Sequence, residues 1–393
     1  MLNTASAGLN KMRSKIAAAT QHKPVFATYR KDEVLVLEGD SYDAEKEVVS
    51  ALHSADMSTK VKAVYIDLRS DVGDLVASEL ASRLQIRPVS ALCLRGYHIS
   101  DTGVEMLAQA AFRDNSLSAF CIESGRISDT GAKAVAEAAR NCRLLTTFYL
   151  IVYKFSDSGA IAVAEAVKDC PLSVFYLGGC WISDSGATAV AEAVKDCPLS
   201  AFCLWSGEIS DAGAIAVAKT MKDCPLSVFC LGGNKISDSG ATTVAETLSS
   251  GGCASTLSAF SMWSRDISDS GAKNVVNVIR GCTRLSEFYL DSNPISGETV
   301  TYILEGMACV STIRSVNLYI HDVSKEQMDS CLDRLQQSGI AKQLKLRFRC
   351  YTETAKSVCK KFAAEWNAKL SEFRIVDFIA DLVQDDVILR MSK

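Results

Sequence analysis

The stretch LSAFCLWSGEISDAG, residues 199–213, is a clear copy of a unit that recurs along this chain. Its first six residues carry apolar side chains at positions one, four and six, which is typical of a short strand with one buried face. In the preceding copy, the Ala-rich residues 187–194 have helical spacing, and Ser183 or Asp184 can accept hydrogen bonds from the first backbone N–H groups of that helix. Each unit is therefore predicted to be a strand, a loop, a helix and a return loop.

The unit repeats with a nearly constant period. Its Ile-Ser or Phe-Ser pair recurs in steps of 27 to 31 residues, beginning at Ile99, Ile127, Phe155, Ile182, Ile209, Ile236, Ile267 and Ile295. The fourth strand position is Phe in seven consecutive copies: Phe120, Phe148, Phe175, Phe202, Phe229, Phe260 and Phe288. Val64 and Leu92 continue this column upstream, Val316 and Leu344 continue it downstream, and about eleven strands are predicted. Such a period indicates a stacked-repeat solenoid, in which each unit buries its apolar face against its neighbours.

The pattern L-x-x-F-x-L-x-x-N/C-x-I, followed by D-x-G at a helix start, resembles leucine-rich repeats of the ribonuclease-inhibitor-like type. The resemblance covers residues 61–348, in about ten to eleven repeats of 27–31 residues. It implies an α/β leucine-rich-repeat solenoid, a curved horseshoe with a parallel β-sheet on the concave side and helices on the convex side. The spacings agree with a bend, because parallel strands stack about 4.8 Å apart whereas helices need about 8–10 Å.

Two segments outside the repeats are expected to cap the array. Residues 1–60 are predicted to form an N-terminal cap, and residues 349–393 a helical C-terminal cap. The expected elements are a hairpin, a helix and two further helices: 25–30 with 34–38, 44–53, 355–373 and 375–389. A solenoid needs such caps because its end units otherwise expose their apolar faces.

Composition argues against several classes of function. The formal net charge is −4, so no general attraction to nucleic acid is expected. No run of 18 apolar residues occurs, which argues against a membrane span, and the N-terminus lacks the apolar core of a secretion signal. The basic residues Lys11, Arg13 and Lys15 indicate an amphipathic first helix, with a transit peptide as the alternative.

No catalytic constellation is visible in the sequence. The four histidines, His22, His53, His98 and His321, share neither a repeat position nor a metal-ligand spacing. H-E-x-x-H, C-x-x-C, G-x-S-x-G and the phosphate-loop pattern are all absent. We therefore expect a protein that is not an enzyme, with no catalytic residues, no metal ligands, no cofactor and no small-molecule substrate.

Most of the 15 cysteines follow the repeat. Seven lie near successive helix ends, at Cys142, Cys170, Cys197, Cys224, Cys253, Cys282 and Cys309. Helix spacing separates them beyond the Cα–Cα limit of about 7 Å for a disulfide, so they are expected to be reduced and buried, which favours a cytoplasmic protein. Two pairs share a strand position in adjacent units, Cys93 with Cys121 and Cys203 with Cys230. These are either free thiols or oxidation-sensitive pairs.

Successive units differ mainly in the loop between strand and helix. The helical stretches 157–170 and 184–197 differ at one position, whereas the loops 151–154 and 178–181 differ at all four. Exposed helix positions should tolerate change as readily as loops, so relaxed constraint explains this pattern poorly. Diversification of one surface strip explains it better.

This strip is predicted to bind a partner. The predicted partner-binding residues are Tyr149, Tyr153, Tyr176, Trp181, Trp205, Glu208, Lys235, Trp263, Arg265 and Tyr289. Further charged residues lie among them, at Arg95, Glu123, Arg126, Lys154 and Asp266. Trp, Tyr and Arg often dominate interface energy, and mixed charge beside aromatic rings suits a protein or peptide better than a nucleic-acid backbone. The alternative for any one aromatic residue is that it packs over the edge of the sheet.

The predicted function is a non-enzymatic recognition module that binds a macromolecular partner through its concave sheet and its strand-to-helix loops. The resemblance implies roles such as ligand sensing, inhibition or scaffolding, and function depends on the site rather than on the fold. One alternative is a regulator of a small GTPase, a role that some similar repeat proteins have. Two others are a repeat array without a fixed ligand and an enzyme with an unrecognised site in its caps.

Overall fold

The computed structural model describes part of the chain: residues 34–39, 46, 49–50, 52, 61–68, 73–179, 181–308, 310–322, 324–327, 329, 333, 345–350, 357–358 and 379–382. These residues fall into two compact units, which are described separately. The first unit lies within Thr20–Ile209, and the described residues of the second lie within Ser210–Lys393.

Strands and helices alternate in the first unit, and neighbouring strands pair in parallel in sequence order. Its strands are β1 (Val34–Gly39), β2 (Ala63–Leu68), β3 (Ala91–Arg95), β4 (Ala119–Ser128), β5 (Thr147–Lys154), β6 (Val174–Gly178) and β7 (Ala201–Ser210). Its helices are α1 (Asp74–Ile86), α2 (Asp101–Phe112), α3 (Asp129–Ala139), α4 (Asp157–Val167) and α5 (Asp184–Val194).

The second unit repeats the same alternation, again with parallel neighbouring strands. Its helices are α6 (Asp211–Met221), α7 (Asp238–Ser250), α8 (Asp269–Ile279) and α9 (Gly297–Ala308), with a 3-10 turn at Gly252–Ser255. Its strands are β8 (Val228–Lys235), β9 (Ala259–Trp263), β10 (Glu287–Ser296), β11 (Ser315–Asp322), β12 (Lys345–Cys350) and β13 (Ile379–Leu382). Within the described residues, no helix has both the length and the apolar character needed to cross a bilayer.

The predicted Phe column forms the core of each unit. In the first unit, Phe120, Phe148, Phe175 and Phe202 are all 0% exposed, and successive ring centroids lie 5.9, 6.1 and 6.1 Å apart. In the second unit, Phe229, Phe260 and Phe288 stack at 6.3 and 6.1 Å. Phe112 of α2 packs on Phe120 with a centroid distance of 5.0 Å, which shows that the helices cover the sheet face carrying this column.

The register confirms the upstream column and corrects its downstream end. Leu35 pairs with Val64, so the column begins one strand earlier than predicted. The prediction of Leu344 is wrong, because Val316 pairs with Leu346 and the step is therefore 30 residues. Residues two apart along any strand share a face, so the alternation of apolar residues cannot distinguish a step of 28 from a step of 30.

The strands described near the two chain ends extend the parallel sheet. Residues 34–39 pair in parallel with β2, whereas 25–30, the other arm of the predicted hairpin, lies outside the described residues. The predicted helix over 375–389 is wrong at Ile379–Leu382, which forms β13 beside β12. A strand edge presents unpaired backbone groups, and a further strand satisfies them. The division into two caps around residues 61–348 stays a prediction.

A chain of Asp–Ser hydrogen bonds joins successive helix starts. Ser183 caps α5, because its hydroxyl accepts from the N–H groups of Ser185 and Gly186 at 3.2 and 3.5 Å. Asp157, which opens the preceding helix, accepts from the Ser183 backbone N–H at 2.7 Å and from its hydroxyl at 2.6 Å. The same bonds recur between Asp101 and Ser128, Asp129 and Ser156, Asp211 and Ser237, and Asp238 and Ser268.

The Gly of the Ser-Asp-x-Gly motif leaves room for this carboxylate. A Cβ atom added at Gly186 would lie 2.0 Å from Oδ1 of Asp157, and one at Gly159 would lie 2.7 Å from Oδ1 of Asp129. The Ser, Asp and Gly residues of the motif therefore have separate structural roles. Ser caps its own helix, Asp holds the Ser of the following repeat, and Gly gives space to the Asp of the preceding repeat.

Acid should weaken this link in the second unit. Burial opposes ionisation of Asp269, but hydrogen bonds from Ser296 and Thr299 and the charge of Lys273 outweigh it and hold the pKa of Asp269 below its usual value. A lowered pKa in the folded state stabilises the fold above the unfolded pKa of about 3.9 and loses that effect as pH falls through the folded pKa. Thermal unfolding of Asp269→Asn and of the wild type should therefore differ most near neutral pH and converge in acid.

The control for this experiment is Asp266→Asn, which removes one exposed carboxylate from the same unit. It should follow the wild-type curve at every pH. A gap between the wild type and Asp269→Asn that is the same at pH 7 and pH 3 would contradict the assignment.

Candidate functional site

The predicted partner-binding residues of the first unit divide into exposed and buried groups. Trp181 is 58% exposed and Glu208 is exposed, whereas Tyr149 and Tyr153 are half-buried. Tyr176 and Trp205 are only 2% and 6% exposed. The strip identified in the sequence therefore contains both surface residues and packed residues.

The exposed residues form one row, with one member in each repeat. Arg126, Lys154, Trp181 and Glu208 each lie three residues before the Asp that opens the following helix, and all four are exposed. Strands β4, β5 and β7 extend into the segment predicted as a loop, so Arg126, Lys154 and Glu208 lie near the ends of these strands, whereas Trp181 lies on a loop. We call these four residues the loop row. Its members run from two positive side chains through an indole to a negative side chain. Trp181 and Glu208 belong to the predicted partner-binding set, whereas Arg126 and Lys154 belong to the charged residues that lie among that set in the sequence.

Hydrogen bonds between neighbouring repeats fix the backbone of the loop row. The Trp181 N–H donates to the carbonyl of Phe155 at 3.2 Å, and the Ile182 N–H donates to the hydroxyl of Ser206 at 2.9 Å. The same hydroxyl accepts from the N–H of Glu208 at 3.3 Å. The backbone at Trp181 is therefore tied to both the preceding and the following repeat.

Buried loop serines are a feature that sequence reasoning missed. Ser124, Ser206 and Ser264 are all 0% exposed. Ser124 donates to the carbonyl of Ile99 at 2.7 Å, and in the second unit Ser264 donates to that of Ile236 at 2.7 Å. All three serines lie three residues before the Ile of the Ile-Ser pair, so an alignment of the repeats could have revealed them.

The buried aromatic residues pack over the sheet. The indole of Trp205 lies on Gly178 of the preceding strand, where an added Cβ would be 2.1 Å from the indole Nε1. Tyr153 meets the Trp205 ring edge-on, with the centroids 6.0 Å apart. The rings of Tyr149 and Tyr176 lie 4.6 Å apart. For Trp205 and Tyr176, packing over the sheet is therefore the arrangement observed.

The second unit shows the same division. Tyr289 is 3% exposed and donates a hydrogen bond to the Glu287 carboxylate. Trp263 is half-buried and lies over Gly232, where an added Cβ would be 2.1 Å from the indole Nε1. Lys235 is exposed at the end of β8, and Arg265 is exposed on the loop after β9. These residues offer charge on the surface and aromatic packing beneath it.

A second row on the sheet carries two of the predicted thiols. Cys93 and Cys121 pair in register on β3 and β4, and two residues further along, Arg95 and Glu123 form an ion pair at 3.6 Å. Glu123 is 4% exposed. Among the described residues, no group of three or more His, Cys, Asp or Glu side chains could hold a metal ion.

Comparisons with known proteins agree with this architecture. A sequence profile of the family described as Leucine Rich repeat matches residues 168–191. A search of curated protein sequences returns no match. The structure is similar to a chain in the crystal structure of the Rad7 and Elc1 complex in yeast, with a TM-score of 0.59 and 12% sequence identity over 89% of this chain and 85% of that chain. The predicted fold class is confirmed, and the chain has the α/β leucine-rich-repeat solenoid fold.

Proposed function

We propose that this chain is a non-enzymatic recognition module that binds a protein or peptide through its strand-to-helix loops and the sheet face beside them. The observation that carries the proposal is the loop row, in which Trp181 is 58% exposed on an ordered backbone. Trp residues are enriched among the few side chains that dominate interface energy. An exposed indole between charged neighbours therefore favours a docking role.

The order of charges indicates the chemistry of the partner segment. Parallel strands are spaced about 4.8 Å apart, so the three steps from Arg126 to Glu208 span about 14 Å. An extended peptide of about four residues covers that distance at about 3.3 Å per residue. Its acidic end would face Arg126 and Lys154, an apolar or aromatic residue would lie against Trp181, and a basic residue would face Glu208. Such charge complementarity contributes specificity and orientation.

Other features support the finer parts of the proposal. Full α-helices of 11 to 13 residues join the strands in the first unit, as expected for the ribonuclease-inhibitor-like repeat type. The similar yeast structure is a complex of two proteins, Rad7 and Elc1, which is an analogy for protein binding. A cytoplasmic location is proposed because ten cysteines among the described residues are thiols outside any disulfide, which fits a reducing compartment.

A peptide-display library selected on the intact chain tests this function. Selected ligands should bind a loop variant carrying Arg126→Ala, Lys154→Ala and Trp181→Ala at least about 30-fold more weakly than the wild type, because the loss of interface hot spots costs about 2 kcal/mol or more. The control is a helix variant, Lys168→Ala with Lys195→Ala, which also loses two positive charges. These two lysines lie at exposed helix ends and pair with Glu165 and Glu192. It should bind the ligands normally.

Orientation gives a second readout of the same experiment. Peptides selected on the Glu208→Lys variant should carry an acidic residue where peptides selected on the wild type carry a basic one. Equal binding to the loop variant and the wild type would move the site elsewhere. Failure to select any ligand from the library would instead favour a repeat array without a fixed partner.

A further inference from the structure

We propose that Cys93 and Cys121 form a disulfide reversibly. Oxidation by a hydroperoxide would make this bond and link strands β3 and β4 of the first unit. This inference concerns the sheet rather than the loop row, and it stands or fails independently of the proposed function. The other predicted pair is not part of it, because Cys203 lies in the first unit and Cys230 in the second.

Register places the two thiols within bridging range. Cys93 and Cys121 are direct partners in the parallel pairing of β3 with β4. Partner residues of neighbouring strands lie about 4.8 Å apart, inside the Cα–Cα range of about 4.4–6.8 Å for disulfides. Leu92 and Leu94 flank Cys93 and are both 0% exposed, so the alternation of the strand places the two thiols on the face opposite the Phe column.

The two thiols contact each other, and one of them is partly exposed. A hydrogen bond with the Cys93 thiol, followed by burial, raises the pKa of Cys121 well above its usual value, while Arg95 acts in the opposite direction. The two thiols are therefore in mutual contact. Cys121 is also partly exposed, which gives a small oxidant a route to the pair.

The helix-end cysteines of the same unit provide a contrast. The Cys170 thiol is 3% exposed and donates to the carbonyl of Cys142 at 3.0 Å. Burial raises the pKa of Cys170 to about 12. A buried thiol that donates to a backbone carbonyl offers little access to an oxidant, so it should stay reduced.

The oxidation balances with a peroxide as the only added reactant. One sulfur, as its thiolate, attacks a peroxide oxygen, breaks the O–O bond and becomes a sulfenic acid, with hydroxide taking up the released proton as water. The second sulfur then attacks the sulfenic sulfur, the S–S bond forms, and a second water leaves. Two thiols lose two electrons and two protons, and hydrogen peroxide becomes two molecules of water. A dithiol reductant reverses the step by thiol–disulfide exchange.

Peptide mapping of the intact chain treated with hydrogen peroxide tests the site. Tryptic peptides 84–95 and 114–126 each contain a single cysteine, Cys93 and Cys121. After blocking of free thiols, these two peptides should appear linked while Cys142 and Cys170 remain thiols, and dithiothreitol should separate them. Peroxide that oxidises Cys142 and Cys170 as readily, or that gives sulfinic acids without the link, would overturn the proposal.

An arsenical gives a test of geometry that needs no oxidant. Phenylarsine oxide condenses with two neighbouring thiols and releases one water, so the reduced chain should bind it at the Cys93–Cys121 pair. The Cys121→Ser variant keeps a side chain of similar size and should lose both the arsenical adduct and the linked peptides. Retention of either in this variant would contradict the assignment.

Discussion

Replacing Phe175 by Ala should lower the free energy of unfolding by about 3–5 kcal/mol, the usual cost of deleting a fully buried aromatic ring. Phe175 is 0% exposed, and its ring lies between Phe148 and Phe202 at centroid distances of 6.1 and 6.1 Å. The truncation therefore removes contacts to both neighbouring repeats. Urea unfolding followed by circular dichroism would measure the loss.

The matched control is Phe175→Leu. Leu92 occupies the same column on β3 and is also 0% exposed, so the layer accepts a branched aliphatic side chain. We expect a cost below about 1.5 kcal/mol, as for other hydrophobic replacements that keep most of the volume. Because each repeat touches only its neighbours, the Ala variant should also broaden the transition as coupling between repeats weakens. A loss below about 1 kcal/mol for Phe175→Ala would contradict a continuous stacked core.

The core could be predicted from the sequence because its signal is local and repeated. Each Phe lies at the same sequence distance from the same neighbouring apolar residues, and seven copies reinforce the pattern. The role of the motif Asp was missed for the opposite reason. Asp157 binds Ser183, which is 26 residues away, and nothing in one copy shows that its carboxylate serves the next. Only stacked repeats bring the two groups together.

The sequence predicted which residue types form the candidate site, but not which of these side chains are buried. Trp181 and Trp205 lie in neighbouring repeats but three positions apart within the repeat, and one is 58% exposed whereas the other is 6% exposed. Trp205 lies on β7, where its register partner Gly178 leaves a flat surface for the indole, whereas Trp181 lies beyond the end of β6. Gly232 and Trp263 repeat this pairing in the second unit. A Gly one repeat before a Trp at the same strand position is therefore a signal of packing.

The burial of Trp205 leads to the second large prediction. Trp205→Ala should lower the free energy of unfolding by about 3–5 kcal/mol, because it removes a buried ring from Gly178 and Tyr153. Trp181→Ala provides the matched control, since the same truncation at an exposed position should change stability by less than about 0.5 kcal/mol. Thermal and urea unfolding of both variants would compare the two indoles directly. Similar losses would show that exposure does not distinguish their roles.

A double-mutant cycle tests the contact itself. Gly178→Ala alone should cost about 1–3 kcal/mol, because its Cβ must displace a large, well-packed ring. In the Trp205→Ala background the same methyl group enters vacated space, so its cost should largely disappear and the two effects should be non-additive by about 1 kcal/mol or more. Additive losses would mean that the indole does not lie on Gly178. Binding of the selected ligands would complete the distinction. Trp181→Ala should weaken binding in a chain of normal stability, whereas Trp205→Ala should weaken binding only as the fold is lost.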